Sequence, residues 1–193
     1  MRPPEPNLQL DPHLIDAAAN VLDAAGAVGL TLSAIAEAAG VSRVTVHRRG
    51  ATVDDYIVAV LARASDDLRS SLWPMLTSSE PASERLRSAL TILCEVCERH
   101  TGIMTAMFGV PPRDLPGRPG RTTSLEFIEP FAKLLGDGQT DGSLTAGDPM
   151  PDATLLANCV AWTYLHMRRA HRWDPAVAAE RTVTMAIASF LTR

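Results

Sequence analysis

The chain has 193 residues, a formal net charge of −4, and 46% hydrophobic but only 5% aromatic residues. That length allows a sizeable core, and the acidic balance excludes a protein that coats nucleic acid regardless of sequence. Alanine and leucine carry most of the apolar surface and alternating β-branched runs are scarce, so the expected fold class is all-α. No apolar run approaches the roughly 18 residues needed to cross a bilayer. The opening MRPPEPNLQLDP has no apolar stretch of the kind a secretion signal needs. Three cysteines, an odd number, do not make a disulfide framework and suit a reducing compartment, so the expected location is cytoplasmic.

Residues 1–10 read as a proline-rich arm. Asp11-Pro12 opens a first helix, whose expected buried stripe is Leu14, Ala18, Leu22 and Ala25 and whose end lies at Gly26 to Gly29. Leu30 to Arg49, LTLSAIAEAAGVSRVTVHRR, then compresses two short helices and a turn into twenty residues. Thr31 or Ser33 can cap the first of these, and Leu32, Ile35 and Ala39 share one face. Gly40 suits the left-handed conformation of a turn, and Ser42 can cap the second helix. Arg43, Thr45, His47 and Arg48 then lie outward, cations and hydroxyls of the kind a major groove accepts. Residues 1–42 hold a single cation, Arg2, whereas Arg43, Arg48 and Arg49 follow within seven residues. An ordinary pair of core helices joined by Gly-Val-Ser fits the same twenty residues on their own.

Gly50-Ala51 breaks the chain, and Thr52-Val-Asp-Asp caps a long fourth helix. Its stripe is Ile57, Leu61, Ala64, Leu68, Leu72 and Met75, with Pro74 at its end. A fifth helix is expected over 83–100 and a short sixth over 101–108. The segment GVPPRDLPGRPGR, 109–121, holds four prolines and three glycines and is expected to be a loop. Further helices are expected over 122–135, 152–172 and 174–192, with a loop over 137–148, giving about nine helices in all. The predicted division is an arm and head over 1–51 and a body over 52–193. The last two helices are apolar on more than one face, which suits either burial within one chain or a two-fold dimer through those helices.

From His13 to Leu61 the chain resembles the tetracycline-repressor (TetR) family of transcription regulators. TLSAIAEAAGVSRVTVHRR is similar to that family's three-helix DNA-binding head, and the acidic-capped long helix follows at the usual distance. Gly138-Gln-Thr-Asp-Gly-Ser-Leu is a weaker echo of the loop before its eighth helix. The resemblance implies a homodimer that reads a palindromic double-stranded operator and a body cavity for a small-molecule effector. It also implies that effector binding separates the heads, as in a repressor. Carried over by position, Thr31 and Ser33 sit where the first reading helix meets phosphate, and Arg43, Thr45 and Arg48 where bases and phosphates are contacted. The chain departs from the family at His47, usually tyrosine, at Gly50, usually aromatic, and at Val53, usually lysine. The Gly50 departure implies less packing where head meets body.

In the body, Met104, Met107, Phe108, Phe127, Phe131, Trp162 and His166 are candidates to line an apolar effector cavity. The same residue types also fill ordinary cores. Cys94, Cys97 and His100 on one helix suggest a thiol or soft-metal sensor, but a structural zinc site wants four ligands and buried core cysteines fit the pattern equally. Arg168, Arg169, His171 and Arg172 at a helix end suit the helix dipole. There is no nucleophile elbow, phosphate loop, dinucleotide glycine pattern or His-Glu-x-x-His. The chain is therefore expected to be no enzyme and to need no cofactor or metal. The rival function is a small-molecule or protein-binding module whose head no longer binds DNA.

Overall fold

A computed structural model describes residues 10–48, 50–109, 125–145 and 147–192, apart from the side chains of residues 108, 109, 125 and 126. Among them are nine helices and no strand beyond one isolated bridge, Leu144 to Leu191. The helices are α1 (Pro12–Gly29), α2 (Leu32–Ala38), α3 (Arg43–His47), α4 (Val53–Thr77), α5 (Ala82–Arg99), α6 (Thr101–Gly109), α7 (Leu125–Asp141), α8 (Pro149–Arg169) and α9 (Pro175–Ile187).

In α1 the Asp11 carboxylate accepts from His13 N at 3.0 Å, with Pro12 in the first turn. The buried stripe is Leu14, Ala17, Ala18, Val21 and Leu22. Ala25, expected on that stripe, is exposed, because the helical path breaks at Gly26 (φ 67°, ψ −176°). α4 begins with a reciprocal capping box. Thr52 N donates to Asp55 Oδ2 at 2.7 Å and Asp55 N donates to Thr52 Oγ1 at 3.2 Å. The Thr52 amide and hydroxyl both donate to the Asp55 carboxylate, which holds that carboxyl below its ordinary pKa. The buried line of α4 is Tyr56, Val60, Ala64, Leu68 and Leu72; Ile57, Leu61 and Met75 are half-buried.

Several boundaries differ from the sequence expectation. α4 continues past Pro74 to Thr77, since a proline so near the end removes one backbone bond without preventing another turn. α7 runs to Asp141, not Leu135. Gly136 and Gly138 look like helix breakers, but a Cβ on Gly138 would lie 2.3 Å from Leu144 Cδ1, so glycine there admits the returning chain. α8 begins at Pro149 and ends at Arg169, three residues early at each end. α9 stops at Ile187, and the chain beyond it pairs with the loop after α7: Thr145 N donates to Phe190 O at 2.8 Å. The expected loop over 109–121 lies outside the described residues from 110 onward, as does the arm over 1–9.

In the body α5 is central, packing against α4, α7, α8 and α9. Arg85, buried on α5, donates to the Glu80 and Met75 carbonyls and to Asp137 Oδ2 at 3.1 Å, so its charge is both paired and hydrogen-bonded. The head meets the body chiefly where α1 lies along α6. Gly102 N donates to Asp23 Oδ1 at 2.6 Å. A Cβ on Gly102 would lie 2.4 Å from the Leu22 carbonyl carbon and 2.5 Å from Asp23 N. Backbone rather than a flexible side chain fills that space, so only glycine permits this approach. Gly102→Ala is therefore expected to destabilise the fold by about 1–3 kcal/mol, read as a lower urea midpoint; an unchanged midpoint contradicts this account of the seam.

Candidate nucleic-acid interface and body sites

The turn between α2 and α3 satisfies its backbone completely enough to fix the angle between them. Thr31 caps α2, its hydroxyl accepting from Ala34 N at 3.0 Å. At the other end Gly40, at φ 65°, occupies the left-handed position. Gly40 N donates to Glu37 O at 3.1 Å and Val41 N to Ala36 O at 3.0 Å, the paired bonds of a Schellman ending. Ser42 then caps α3, accepting from Thr45 N at 3.1 Å, while the two hydroxyls meet at 2.8 Å. Ile35, Ala36 and Val46 are almost fully buried between the helices. His13 Nε2, on α1, lies 3.0 Å from the Ala39 carbonyl at the end of α2.

This scaffold leaves one face outward. Arg43, Thr45, His47 and Arg48 are exposed, as are Thr31 and Ser42; Ser33 is half-buried. Arg49 lies outside the described residues. Val44, between Arg43 and Thr45, is 64% exposed. Its offset of two residues from buried Val46 places it outward on a helix, a signal the sequence carries that the outward set of Arg43, Thr45, His47 and Arg48 leaves out. Gly50 takes φ 70° beyond the end of α3, and a Cβ there would meet no atom within 4 Å, so nothing packs at that position; Ala51 and Tyr56, further along, are buried. Val53 is half-buried.

The body candidates do not converge. Met104 and Phe131 are buried in the core, and Met107 and Phe127 are partly buried against it. Trp162 (49% exposed) and His166 lie outward on α8 with Leu155 and Cys159, and the His166 ring meets that of His171 edge-on at 5.2 Å. The side chain of Phe108 is outside the described residues. Elsewhere, a cavity of about 580 Å³ lies between α5 and α9 with Tyr164 of α8 at its base. None of the seven sequence candidates lines it. Its lining joins helices far apart in the chain, a pairing with no local sequence signal.

Residues 14–49 match the family model of bacterial regulatory proteins, tetR family. Across the whole chain the fold matches a tetR-family regulatory protein from Rhodococcus RHA1, with TM-score 0.72 and 17% identity over 94% of this chain and 96% of that one. The chain has the head and the fold of the TetR family. Similar in the same way are SmeT, the repressor of the Stenotrophomonas maltophilia multidrug efflux pump SmeDEF (TM-score 0.66, 19% identity, 96% and 92% covered), and AibR solved with isovaleryl coenzyme A and operator DNA (0.69, 15%, 89% and 95%). No curated protein matches the chain in sequence.

Within this TetR-type body two charged clusters tie helices together. Arg99 donates to both Asp67 oxygens, at 3.0 and 3.2 Å, and His100 Nε2 lies 2.9 Å from Asp67 Oδ2, joining α4 to the α5–α6 junction. The arginine holds the Asp67 carboxyl below the usual range. Glu98 accepts from Arg168 Nε at 2.9 Å, from an Arg168 terminal nitrogen at 2.5 Å and from Tyr164 Oη at 2.8 Å, joining α5 to α8. Its carboxyl is likewise lowered, chiefly by Arg168. Cys94 and Cys97 are fully buried, and burial pushes the Cys94 thiol up to about 12 and the Cys97 thiol higher still. A thiol so far from ionising is a poor redox sensor. No helix among the described residues is long and apolar enough to cross a membrane. Maleimide labelling of the native protein, mapped by mass spectrometry, is expected to leave Cys94 and Cys97 unmodified until denaturant is added; labelling of either in the native state contradicts their inert role.

Proposed function

We propose that this protein is a ligand-responsive, DNA-binding transcriptional regulator, a repressor that releases a palindromic operator on binding a small apolar molecule. The observation that carries the DNA-binding part is the outward face of α3. Three cationic or titratable side chains, a threonine and an exposed valine stand on a helix whose other face is locked into the head. Arg43 and Arg48 suit guanine edges or phosphates, and Val44 suits a thymine methyl. Thr31 and Ser42, exposed at the amino ends of α2 and α3 as their caps, stand beside this face as candidates to meet a backbone phosphate.

We infer a homodimer through α8 and α9. Leu155 and Trp162 on α8, and Val177 and Met185 on α9, are 43–67% exposed, more large apolar surface than two adjacent helices of a monomer usually leave in water. Two heads fixed to such a bundle would address two half-sites related by the same two-fold axis. That SmeT represses a pump and that AibR was solved with an acyl coenzyme A and operator DNA support the class of response. The buried, high-pKa thiols favour a bound effector over a thiol sensor. Arg48→Ala is expected to weaken operator binding by about 1–3 kcal/mol, roughly fivefold or more, in a mobility-shift titration, without changing the urea midpoint; full affinity in the variant overturns the role given to α3.

A further inference from the structure

The cavity between α5 and α9 exists because facing side chains are short. Thr91 and Cys94 on α5 and Ala176, Ala179 and Val183 on α9 are among the residues that line it, and none of them is long enough to fill the slot between the two helices. Its volume, about 580 Å³, is in the range of small-molecule pockets. The polar groups at its base are already satisfied: Glu98 holds Arg168 and the Tyr164 hydroxyl. The interior therefore offers an apolar surface and no unpaired polar group.

The charges at the mouth differ along its length. At one end Arg87 is tied across the slot to the Thr184 hydroxyl at 3.4 Å. At the other, Arg99 has both oxygens of Asp67. Between these braced guanidiniums stand Glu95 and Glu180, one on each helix, both exposed. The nearest cation to Glu95 is the already committed Arg99, at 4.0 Å. Glu180 forms no ion pair among the described residues. A molecule entering the slot passes two carboxylates on opposite lips and meets apolar walls below.

We propose that this slot binds an amphipathic organic cation, its ammonium between Glu95 and Glu180 and its apolar body against Thr91, Ala176 and Ala179. The site is separate from the core around Met104 and Phe131. Its occupancy requires no DNA, so it stands or falls independently of the operator-binding reading. The test is calorimetric titration of the full chain with decyltrimethylammonium, decanoate and decanol, which share one apolar body and differ in head group. The cation is expected to bind about tenfold or more tightly than the carboxylate, with the alcohol between them. Glu95→Gln with Glu180→Gln, both at exposed positions, is expected to bring the cation down to the affinity of the alcohol. Ala176→Leu, which narrows the slot from its exposed lip, is expected to weaken cation and alcohol together. Equal binding of all three, binding of none, or cation binding unchanged in the double glutamine variant overturns the proposal.

Discussion

Helices of seven and five residues do not persist alone in water, because the cost of nucleating a helix is not recovered over so few bonds. α2 and α3 are of that length. The outward face of α3 consequently depends on what holds these two helices from outside: the Schellman ending at Gly40 and Val41, the caps at Thr31 and Ser42, the buried Ile35, Ala36 and Val46, and the packing of α3 on α2 and of α2 on α1. Any group that is to meet DNA from α3 inherits its position from α2 and, through α2, from α1. The long, apolar-striped first helix is thus the platform of the head rather than an accessory to it.

α1 is also the helix through which the head meets the body. Asp16 is bridged to Arg63 of α4, and Asp23 receives the Gly102 amide of α6. α6 follows α5 across a single residue, His100, whose ring is held by Asp67 of α4. α5 in turn reaches α8 through Glu98 and Arg168. Each link is a charged or hydrogen-bonded contact at a helix junction, and between them lie close backbone approaches that leave no slack, as at Gly102. A displacement of α5 or α6 therefore reaches α1 through direct contact, which is the physical requirement for a body ligand to alter the spacing of two heads.

Much of the head was legible because its determinants are local. A cap, a glycine at the left-handed position and an apolar residue at the right helical offset each act within a few residues, so Thr31, Gly40, Ser42 and Thr52 took the roles their types suggest. The helix ends in the body were less legible because distant contacts override local preference. Gly138 reads as a breaker until Leu144 is seen to lie against it, and the chain after Ile187 leaves the helix to pair with the loop after α7. Apolar periodicity could not separate an inward face from one turned outward, which is why Trp162 and His166 stood beside Phe131 among the cavity candidates. The slot between α5 and α9 has no sequence signature at all, since it arises from small residues on two helices that only the fold brings face to face.

The central claim is that α3, held on α2 and through it on α1, reads a defined DNA sequence. Selection of bound fragments from random double-stranded DNA by the full chain tests it most directly. The account predicts enrichment of a palindrome with two half-sites, lost when Arg43 and Arg48 are both replaced by alanine. Recovery of DNA with no enriched sequence, or the same palindrome from the doubly substituted protein, would contradict it.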